Sequence, residues 1–527
     1  MLANKTEIVL GPPGTGKTTY LLGEVEKLLA SGMPPERIAF LAFSRQAAKE
    51  ARARALARFD FKEEQLPWFR TIHSLAFRQT SLSTSRMLKK QDYQSIFKDL
   101  DYEFRGKDSE TEVMAGVAGD PLLQWENFAR LTGVSLREAW SKSRENRLVD
   151  DGFSFKDLED ARRRLLKYKR DSGLVDYTDA LEEFVANGSV PPVSVLIVDE
   201  AQDLSKLQWR VIEKIGERVD RIVIAGDDDQ AIFKWAGADV DHFLLLDGTV
   251  KILDQSYRIP QRVHRLAKNI VQRISDRRLK AYKPRDLMGE VKIINRDWEL
   301  NASEGGWLFL ARHSHQLKWL AKLCRESGWF FRLNSESSNA TTNGLAAIAW
   351  ENLSRGKTAD AIHVAQAFKM CYDSFVGVTN EFAVRYGETP KAPEQRVSVQ
   401  EFPGVDFSKP WFEAFMRMGE DEKTYFRRCR AHGEKMAVLD TDLDYFVPAE
   451  PRIKISTIHG AKGGEADGVY LLTDVTRSTQ DAINVDISDE SRVFYVGVTR
   501  AKERLIIRPC TRPHYNSYSY PISEEDL

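Results

Sequence analysis

One stretch decides the fold: Gly11-Pro12-Pro13-Gly14-Thr15-Gly16-Lys17-Thr18. It follows the apolar run Ile8-Val9-Leu10 and precedes a segment whose apolar residues recur at helical spacing. A strand, a glycine-rich loop and a helix in this order form a phosphate-binding loop, because backbone N–H groups and the positive end of the helix hold phosphate oxygens. Lys17 then reaches the β- and γ-phosphates, and the Thr18 hydroxyl ligates Mg²⁺. The stretch predicts a bound nucleoside triphosphate; the alternative is a Gly/Pro turn that fits the pattern by chance.

Length and composition limit the remaining classes. The chain has 527 residues, which is too long for one core and predicts several domains. Lys and Arg (77) balance Asp and Glu (78), so net charge indicates no polyanion partner, and any nucleic-acid contact needs a local basic groove. The four cysteines include no C-x-x-C pair, which argues against a zinc site and fits a reducing compartment. With no apolar run of about 18 residues and no signal peptide, we expect a cytoplasmic protein without a membrane partner.

Continuous apolar runs, which are typical of buried parallel strands, occur in two groups along the chain. The first group comprises 8–10, 37–43, 193–198 and 221–225, and the second comprises 291–294, 307–310, 452–456, 468–472 and 504–507. Each group is interrupted by a long segment that reads as mainly helical. We therefore predict an α/β protein with two phosphate-loop-type cores, each carrying a helical insertion, followed by a polar tail.

Polar residues follow two of the apolar runs in the first group. Asp199-Glu200 ends one run, and ligands of open α/β sheets gather at the carboxyl ends of strands. Asp199 would hold Mg²⁺ and Glu200 would deprotonate the attacking water, whereas the alternative is a solvated acidic pair. Gln230 follows the next run, where an amide could sense the γ-phosphate.

Two aromatic and two basic residues extend this set. Phe233 and Trp235 lie just beyond Gln230, where they are either core residues or stacking platforms for unpaired bases. Arg258 and Arg500 are candidates to stabilise the charge of a transferring phosphoryl group, and the alternative for each is a surface ion pair.

Over essentially the whole chain, the ordered motifs resemble those of the UvrD/Rep-type DNA helicases of superfamily 1A. The similar segments are 11–18, 42–50, 71–74, 175–179, 198–203, 226–238, 254–258, 456–463 with Glu465, and 494–502. The resemblance implies two RecA-like cores. The first core comprises 1–80 and 176–262 with the helical insertion 81–175, the second comprises 263–335 and 451–510 with the helical insertion 336–450, and 511–527 form the polar tail.

The resemblance also implies roles for individual residues. ATP hydrolysis in a cleft between the cores would use Lys17, Glu200, Gln230, Arg258 and Arg500. The nucleotide would further contact the loop from Gly11 to Thr19, Arg312 at a phosphate and Glu465 at the ribose, with Mg²⁺ on Thr18 and Asp199. Single-stranded DNA would contact Ser44, Arg45, His73, Phe233, Trp235, Thr457 and His459.

The implied function is an ATP-dependent helicase or translocase that moves 3′ to 5′ on single-stranded DNA and unwinds duplex in replication, repair or recombination. The implied partners are single-stranded and tailed duplex DNA, together with replication, repair or nuclease proteins, and the expected state in isolation is a monomer. Two alternatives stay open: a translocase subunit of a larger complex without autonomous unwinding, and a nucleotide-gated DNA-binding scaffold.

Several positions depart from the family pattern. Ala311 stands where the family usually has an aromatic residue that stacks on the base. The family also usually has a glutamine motif before the phosphate loop that reads adenine, and here Asn4 is only a weak substitute for it. Other nucleoside triphosphates are therefore also candidate substrates. Ile72 and Ala236 replace a base-stacking Phe and an Arg, which predicts a weaker grip on the strand. Both insertions are shorter than in typical members, which implies a compact, phage-like or accessory motor.

Overall fold

The computed structural model describes residues 5–43, 45–59, 61–98, 120–145, 154–302, 304–327, 329, 331–333, 339–371, 395–411, 451–509 and 516–521. By its internal contacts the chain divides into two compact units. The first unit contains the described residues of 1–289 and 476–499 together with 520–521, and the second contains those of 290–475 and 500–519.

The first unit is built on a six-stranded parallel sheet in the order β3-β2-β4-β5-β1-β6. Its strands are β1 (Thr6–Leu10), β2 (Ile38–Ala42), β3 (Phe69–Thr71), β4 (Val195–Asp199), β5 (Arg221–Gly226) and β6 (Thr249–Ile252). All residues of β2 and β4 are buried, as expected for central strands covered on both faces. Apolar side chains of this sheet pack into two clusters, one of which contains Val9 and Phe40 and the other Leu41 and Val198.

The helices of the first unit follow the strands in βα order. They are α1 (Lys17–Ala30), α2 (Arg45–Phe59), α3 (Ile72–Arg78), α4 (Lys90–Phe97), α5 (Pro121–Thr132), α6 (Leu136–Glu145), α7 (Phe155–Ser172), α8 (Tyr177–Asn187), α9 (Lys206–Gly216), α10 (Val240–Leu244) and α11 (Gln261–Val271). Helices α4 to α7 share a separate apolar cluster that includes Trp125, Trp140 and Leu158. The described part of 81–175 is thus mainly helical and has its own core.

A buried ion-pair cluster joins these inserted helices to α8. Arg130 of α5 contacts Asp176 (2.8 Å) and Asp179 (2.6 Å), and Lys169 of α7 contacts the same two carboxylates at 2.7 and 2.6 Å. Burial alone would raise the pKa of Asp176, but the two cations outweigh it and lower the pKa to about 2. Because Leu181 and Phe184 of α8 belong to the sheet core, this cluster fastens the insertion to the sheet.

The second unit contains a second six-stranded parallel sheet, in the order β7-β15-β13-β8-β12-β9. Its strands are β7 (Glu290–Ile293), β8 (Trp307–Ala311), β9 (Phe331–Leu333), β12 (Ile453–Thr457), β13 (Ala466–Leu472) and β15 (Ala501–Arg508). The unit also contains α12 (Leu317–Glu326), α13 (Asn339–Ser354), α14 (Ala361–Met370) and the short pairs β10 (Ala359–Asp360) with β11 (Arg396–Val397) and β14 (Asp474–Val475) with β16 (Asn516–Ser517). One apolar cluster, including Phe309, Trp350 and Phe368, joins the sheet to α13 and α14.

Two further helices, α15 (Arg477–Val485) and α16 (Ser488–Val498), belong to the first unit. The sequence prediction assigned 263–289 and 476–499 to the second core, whereas the contacts place both stretches with the first unit. The predicted domain limits themselves stay predictions, and most of the predicted insertion 336–450 and tail 511–527 lies outside the described residues. In the part of the chain that the structure describes, no helix is both long and apolar enough to cross a membrane.

The predicted fold class is confirmed. Two parallel α/β sheets, each of six strands, correspond to the two predicted RecA-like cores. The apolar runs at 193–198 and 221–225 correspond to β4 and β5. A strand that is apolar on both faces is suited to the centre of a sheet, where both of its faces are covered.

Candidate nucleotide site and nucleic-acid surface

The candidate nucleotide site lies at the carboxyl edge of the first sheet. Leu10 of β1 pairs with Gly226 of β5, and Ala42 of β2 pairs with Asp199 of β4, so these strands end at the same level. The Gly11 N–H donates a hydrogen bond to the Gly226 carbonyl at 3.1 Å. The parallel register thereby places the glycine-rich loop beside Asp199 and the segment that contains Gln230.

The glycine-rich loop has the backbone that its sequence predicts. Gly14 and Gly16 have φ values of 73° and 80°, which side-chain-bearing residues adopt only with strain, and α1 begins at Lys17. A Cβ on Gly11 would lie 1.9 Å from the Lys17 Cγ, so glycine is required for the lysine to fold over the loop. The Lys17 Nζ donates to the Gly11 carbonyl at 3.0 Å.

Thr18 and Asp199 form the candidate metal site. The Thr18 Oγ1 donates a hydrogen bond to the Asp199 Oδ2 at 3.0 Å. Burial and the neighbouring Glu200 carboxylate raise the pKa of Asp199 to about 6, although Lys17 and Thr18 act in the opposite direction. One hydroxyl and one carboxylate fit Mg²⁺, which typically takes one or two protein oxygens and completes its shell with water and phosphate oxygens.

Glu200 directs its carboxylate towards the loop. Its Oε1 lies 3.4 Å from the Lys17 Nζ, and its Oε2 accepts a hydrogen bond from the Gln202 Nε2 at 2.6 Å. Among the described residues it is the non-glycine residue with a positive φ (55°), a conformation that costs about 1–3 kcal/mol. This strained turn brings a carboxylate, which can act as a general base, beside the lysine that is predicted to hold the γ-phosphate.

Gln230 lies on the turn that follows β5. Its Nε2 donates to the Asp227 Oδ2 at 2.7 Å, and the side chain is buried. The Asp227 N–H in turn donates to the Gln202 Oε1 at 3.0 Å. The structure therefore connects Lys17, Glu200 and Gln230 through one ion pair, between Lys17 and Glu200, and the hydrogen bonds of Gln202 and Asp227.

The segment of Arg258 supports the glycine-rich loop directly. The Ser256 Oγ donates to the Pro13 carbonyl at 2.8 Å, and the Tyr257 N–H donates to the Gly14 carbonyl at 2.8 Å. A Cβ on Gly14 would lie 2.4 Å from the Arg258 Cβ. Arg258 thus lies against the loop in the same unit as Lys17, whereas the sequence prediction counted it among the arginines of the second half of the molecule.

The second unit separates its predicted site residues between two edges of its sheet. Arg500 is buried, and its Nη1 donates to the Gly464 carbonyl at 3.2 Å, next to Glu465. Arg500 and Glu465 both lie at the amino edge of the second sheet. Each directly precedes a strand, since β15 begins at Ala501 and β13 at Ala466, and these two residues pair. Arg500 and Glu465 are thus close neighbours.

Arg312, Thr457 and His459 lie at the opposite, carboxyl edge of the same sheet. Thr457 pairs with Ala311, and the Ile458 N–H donates to the Ala311 carbonyl at 2.9 Å. A five-residue strand is about 17 Å long, so Arg312 lies closer to the predicted DNA contacts than to Arg500. The sequence prediction grouped Arg312 with Glu465 and Arg500, and the strand register does not bring them together.

An aromatic row lies on the first unit beyond Gln230. Phe43 and Phe233 stack with ring centroids 5.8 Å apart, and Phe233 lies 6.4 Å from Trp235, whose side chain is 43% exposed. His73, on α3, lies edge-on to Tyr177 at 6.4 Å. Exposed and half-exposed rings in a row are suited to stacking on unpaired bases.

A groove of about 1030 Å³ lies beside this row. It is lined by aromatic side chains, including Phe43, His73 and Tyr177, and by four basic ones. The basic side chains are Lys49, Arg52, Arg70 and Arg78. Burial and the neighbouring guanidinium groups of Arg78 and Arg52 lower the pKa of Arg70. Because the net charge of the chain is balanced, a nucleic-acid binder of this composition needs a local basic surface, and this groove is such a surface.

Other predicted positions lie partly or wholly outside the description. Ser44 and Asn4 are outside the described residues, and of Arg45 only the backbone, at the start of α2, is described. Ile72 is 1% exposed and packs in the sheet core, so its side chain is not a base contact. Ala311 is fully buried at the end of β8.

Sequence reasoning missed several residues of this site. Gln202 links the turn of Glu200 to the turn of Gln230, and Lys280 pairs with Asp227 in the second of these turns. Arg52, Arg70 and Arg78 line the groove. The arginines are dispersed along α2, β3 and α3, and Lys280 lies in a polar stretch that reads as a loop. Only Gln202 carried a local signal, because it lies two residues after Glu200 at the carboxyl end of a strand.

Comparison with known proteins identifies the family. A model described as UvrD/REP helicase N-terminal domain matches residues 2–251, and one described as UvrD-like helicase C-terminal domain matches residues 431–512. ATP-dependent DNA helicase PcrA of Bacillus subtilis is 24% identical over 342 residues, which cover 59% of this chain and 43% of PcrA. DNA helicase II of Haemophilus influenzae is 26% identical over 298 residues (51% and 39%). ATP-dependent DNA helicase srs2 of Schizosaccharomyces pombe is 25% identical over 334 residues (58% and 37%).

The chain thus spans about two fifths of the length of these curated relatives. The two matched domains together cover more than half of the chain, and they include the glycine-rich loop, Asp199, Glu200, Gln230 and Arg500. The chain belongs to the UvrD/Rep helicase family.

Proposed function

We propose that this protein is an ATP-dependent motor that translocates 3′ to 5′ on single-stranded DNA and unwinds duplex DNA in replication, repair or recombination. The observation that carries the proposal is the grouping of Lys17, Thr18, Asp199 and Glu200 at one edge of the first sheet. The similar PcrA and srs2 proteins are named ATP-dependent DNA helicases, which supports the same activity.

The nucleotide is held by the loop and by α1. The N–H groups of the glycine-rich loop and the N-terminus of α1 bind the phosphates, and Lys17 moves from the Gly11 carbonyl to the β- and γ-phosphates. Thr18 and Asp199 hold Mg²⁺, which neutralises charge on the phosphate oxygens when it is bound. The raised pKa of Asp199 fits this role, because burial and the Glu200 carboxylate outweigh Lys17 and Thr18, and a bound cation would offset both.

Hydrolysis uses the carboxylate of Glu200 as the general base. Gln202 donates to its Oε2, which leaves Oε1 on the side of Lys17, where the attacking water has to be oriented. Gln230 senses the γ-phosphate from the next turn, and Arg258 contributes positive charge from the segment packed on Gly14. Removing a base of this kind typically costs about 10²–10⁴-fold in rate.

Single-stranded DNA binds along the aromatic row and the basic groove of the first unit. Trp235 and Phe233 stack on bases, while Lys49, Arg52, Arg70 and Arg78 neutralise phosphates. Thr457 and His459 are proposed to contact the strand from the second unit. Ser44 and Arg45 stay predictions of the family resemblance.

Arg500, Glu465 and Arg312 are proposed contacts of the same nucleotide from the second unit. Arg500 and Glu465 are the stronger pair, because they are neighbours at one sheet edge. Replacing Arg500 by Ala should lower kcat by roughly 10²-fold or more, as for other phosphate-directed arginines. The same change at Arg312 should have the smaller effect on kcat. The predicted cytoplasmic location and monomeric state stay predictions.

Strand displacement on 3′-tailed and 5′-tailed duplexes, with each of the four nucleoside triphosphates, tests the proposal. We expect unwinding of the 3′-tailed substrate alone, and nucleotide hydrolysis that single-stranded DNA stimulates. Activity with several triphosphates would agree with the replacement, by Ala311, of the aromatic residue that stacks on the base in the family pattern. DNA-stimulated hydrolysis without unwinding would favour a translocase subunit of a larger complex. Nucleotide binding without turnover would favour the DNA-binding scaffold and overturn the motor.

A further inference from the structure

The turn after β5 contains three consecutive buried carboxylates. Asp227, Asp228 and Asp229 are 0%, 0% and 1% exposed. Burying a carboxylate is costly unless a cation or a set of hydrogen bonds compensates for the lost water. A turn of this composition is therefore held in place by whatever partners it finds in the fold.

Lys280 is the partner that all three carboxylates share. Its side chain is 1% exposed, and its Nζ lies 3.2 Å from Asp227, 2.7 Å from Asp228 and 2.9 Å from Asp229. Burial by itself lowers the pKa of Lys280, but the three carboxylates outweigh it and raise the pKa, so the ammonium stays charged. Arg277 adds two hydrogen bonds to Asp229, at 2.7 and 2.5 Å.

Asp227 passes this restraint on to Gln230. One carboxylate oxygen of Asp227 faces the Lys280 ammonium, and the other accepts the hydrogen bond from the Gln230 Nε2 at 2.7 Å. Because the Lys280 ammonium holds one oxygen of the Asp227 carboxylate, the other oxygen has a fixed position and orients the Gln230 amide.

Gln202 connects the same turn to Glu200. Its Oε1 accepts the Asp227 N–H at 3.0 Å, and its Nε2 donates to the Glu200 Oε2 at 2.6 Å. The side chain is 0% exposed, and a Cβ on Gly226 would lie 2.7 Å from its Oε1, so the amide has little room to move. A displacement of the Asp227 turn is therefore felt by the Glu200 carboxylate.

We propose that Lys280 and Gln202 are positioning residues of the ATPase site, which hold the Gln230 amide and the Glu200 carboxylate in one hydrogen-bonded unit centred on Asp227. The inference rests on the proposed function and adds residues to it. Each acts on the nucleotide through Asp227 or Glu200, the groups that its side chain contacts. Their contribution is geometric: a sensor and a base that move together keep the attacking water aligned with the γ-phosphate.

Four single variants of the full chain and the double variant Lys280→Met/Gln202→Met test the inference. Lys280→Met removes the shared cation, Lys280→Arg keeps the charge, and Gln202→Met removes the neutral link to Glu200. The matched control is Lys169→Met, because Lys169 is also a buried lysine (9% exposed) between two aspartates, but it lies in the inserted helices. For each protein, kcat with oligothymidylate, equilibrium binding of a fluorescent ATP analogue and Tm are measured.

Lys280→Met and Gln202→Met should each lower kcat by about 10–100-fold, with the nucleotide Kd changed by less than about threefold. The double variant should be no worse than the more severe single variant, because both residues act on one unit. Lys280→Arg should recover part of kcat. Lys169→Met should lose Tm but keep kcat.

The inference is overturned if wild-type protein is active and Gln202→Met keeps normal kcat, and this outcome decides even where Lys280→Met does not fold. It is also overturned if, across the variants, kcat falls only where Tm falls and to a matching extent, because a purely structural role predicts that result. Wild-type protein that binds nucleotide but shows no DNA-stimulated hydrolysis would overturn the proposed function, and this inference with it.

Discussion

The Thr18 hydroxyl donates a hydrogen bond to the Asp199 carboxylate at 3.0 Å, although 181 residues separate the two in the sequence. The contact joins the first turn of α1 to the end of β4 and creates a pair of oxygens suited to Mg²⁺. It exists because β1 and β4 flank β5 in a parallel sheet and end at one edge.

The raised pKa of Asp199 predicts a pH-dependent stability. Its pKa rises from the ordinary 3.8 to about 6, so between these values the folded state binds more protons here than the unfolded state. The contribution of Asp199 to the free energy of unfolding should therefore fall as pH rises from about 4 to 6, by on the order of 1–3 kcal/mol. Asp199→Asn should lack this loss when urea denaturation is measured without nucleotide and Mg²⁺.

The control for this experiment is Asp241→Asn, at an exposed position of α10. Its stability should run parallel to the wild type across the same pH range. Parallel curves for Asp199→Asn and the wild type would contradict the assignment of the raised pKa to Asp199.

Glu200→Gln should stop turnover but keep binding. The amide is nearly the same size and cannot accept a proton, so kcat should fall by about 10²–10⁴-fold while a fluorescent ATP analogue still binds. Glu217→Gln, at an exposed position just after α9, is the matched control and should hydrolyse ATP at the wild-type rate. Full turnover in Glu200→Gln would assign the general base to another residue.

Gly14→Ala should damage the phosphate loop. Its φ of 73° disfavours a side chain, and the new Cβ would meet the Arg258 Cβ at 2.4 Å. We expect nucleotide affinity to fall at least tenfold, with a loss of about 1–3 kcal/mol in the free energy of unfolding. Gly23→Ala in α1 is the comparison, because nothing lies within 4 Å of its added Cβ, and it should be neutral or stabilising by about 0.5–1 kcal/mol. Equal behaviour of the two variants would contradict the packing of Gly14 on Arg258.

Lys49→Gln should weaken DNA binding without affecting the fold. Lys49 is exposed and lines the basic groove. Loss of one phosphate contact should reduce the slope of log K against log salt by about 0.7 for single-stranded DNA. Fluorescence anisotropy across a salt series measures the slope, and Lys268→Gln, an exposed lysine on α11, should leave it unchanged. An unchanged slope in Lys49→Gln would remove the groove from the DNA path.

Trp235→Ala should weaken single-strand binding through loss of stacking. The ring is 43% exposed and adjoins Phe233 in the aromatic row. A base–aromatic stack is worth about 1–3 kcal/mol, so Kd should rise by roughly 5- to 150-fold, with little change in the salt slope. Trp235→Phe should recover most of the affinity, because stacking tolerates a smaller ring. An unchanged Kd for single-stranded DNA in Trp235→Ala would contradict the stacking role and leave Trp235 as a structural residue.

Much of the nucleotide site could be predicted from sequence because it is local. The loop from Gly11 to Thr18, the Asp199-Glu200 pair and Gln230 each follow an apolar run, and parallel strands bring such ends to one edge. Glycine at positions 14 and 16 was equally readable, since positive φ values at both demand it. These features need only the chain neighbours of each residue to be recognised.

The rest required the tertiary structure. Ile72 takes the place of a base-stacking Phe in the family pattern, but only the structure shows that its side chain is buried in the core. Arg312 is separated from Arg500 by strand register, which sequence order does not reveal. Lys280 lies in a polar loop with no periodicity, yet it becomes the shared cation of three carboxylates more than 50 residues away. By itself the sequence determined the fold class, the glycine-rich loop and the position of the Asp199-Glu200 pair at the end of a strand, because backbone geometry and hydrophobic periodicity are local. Only the fold decided which charges share a buried site, because burial makes a charge depend on partners that are distant in the chain.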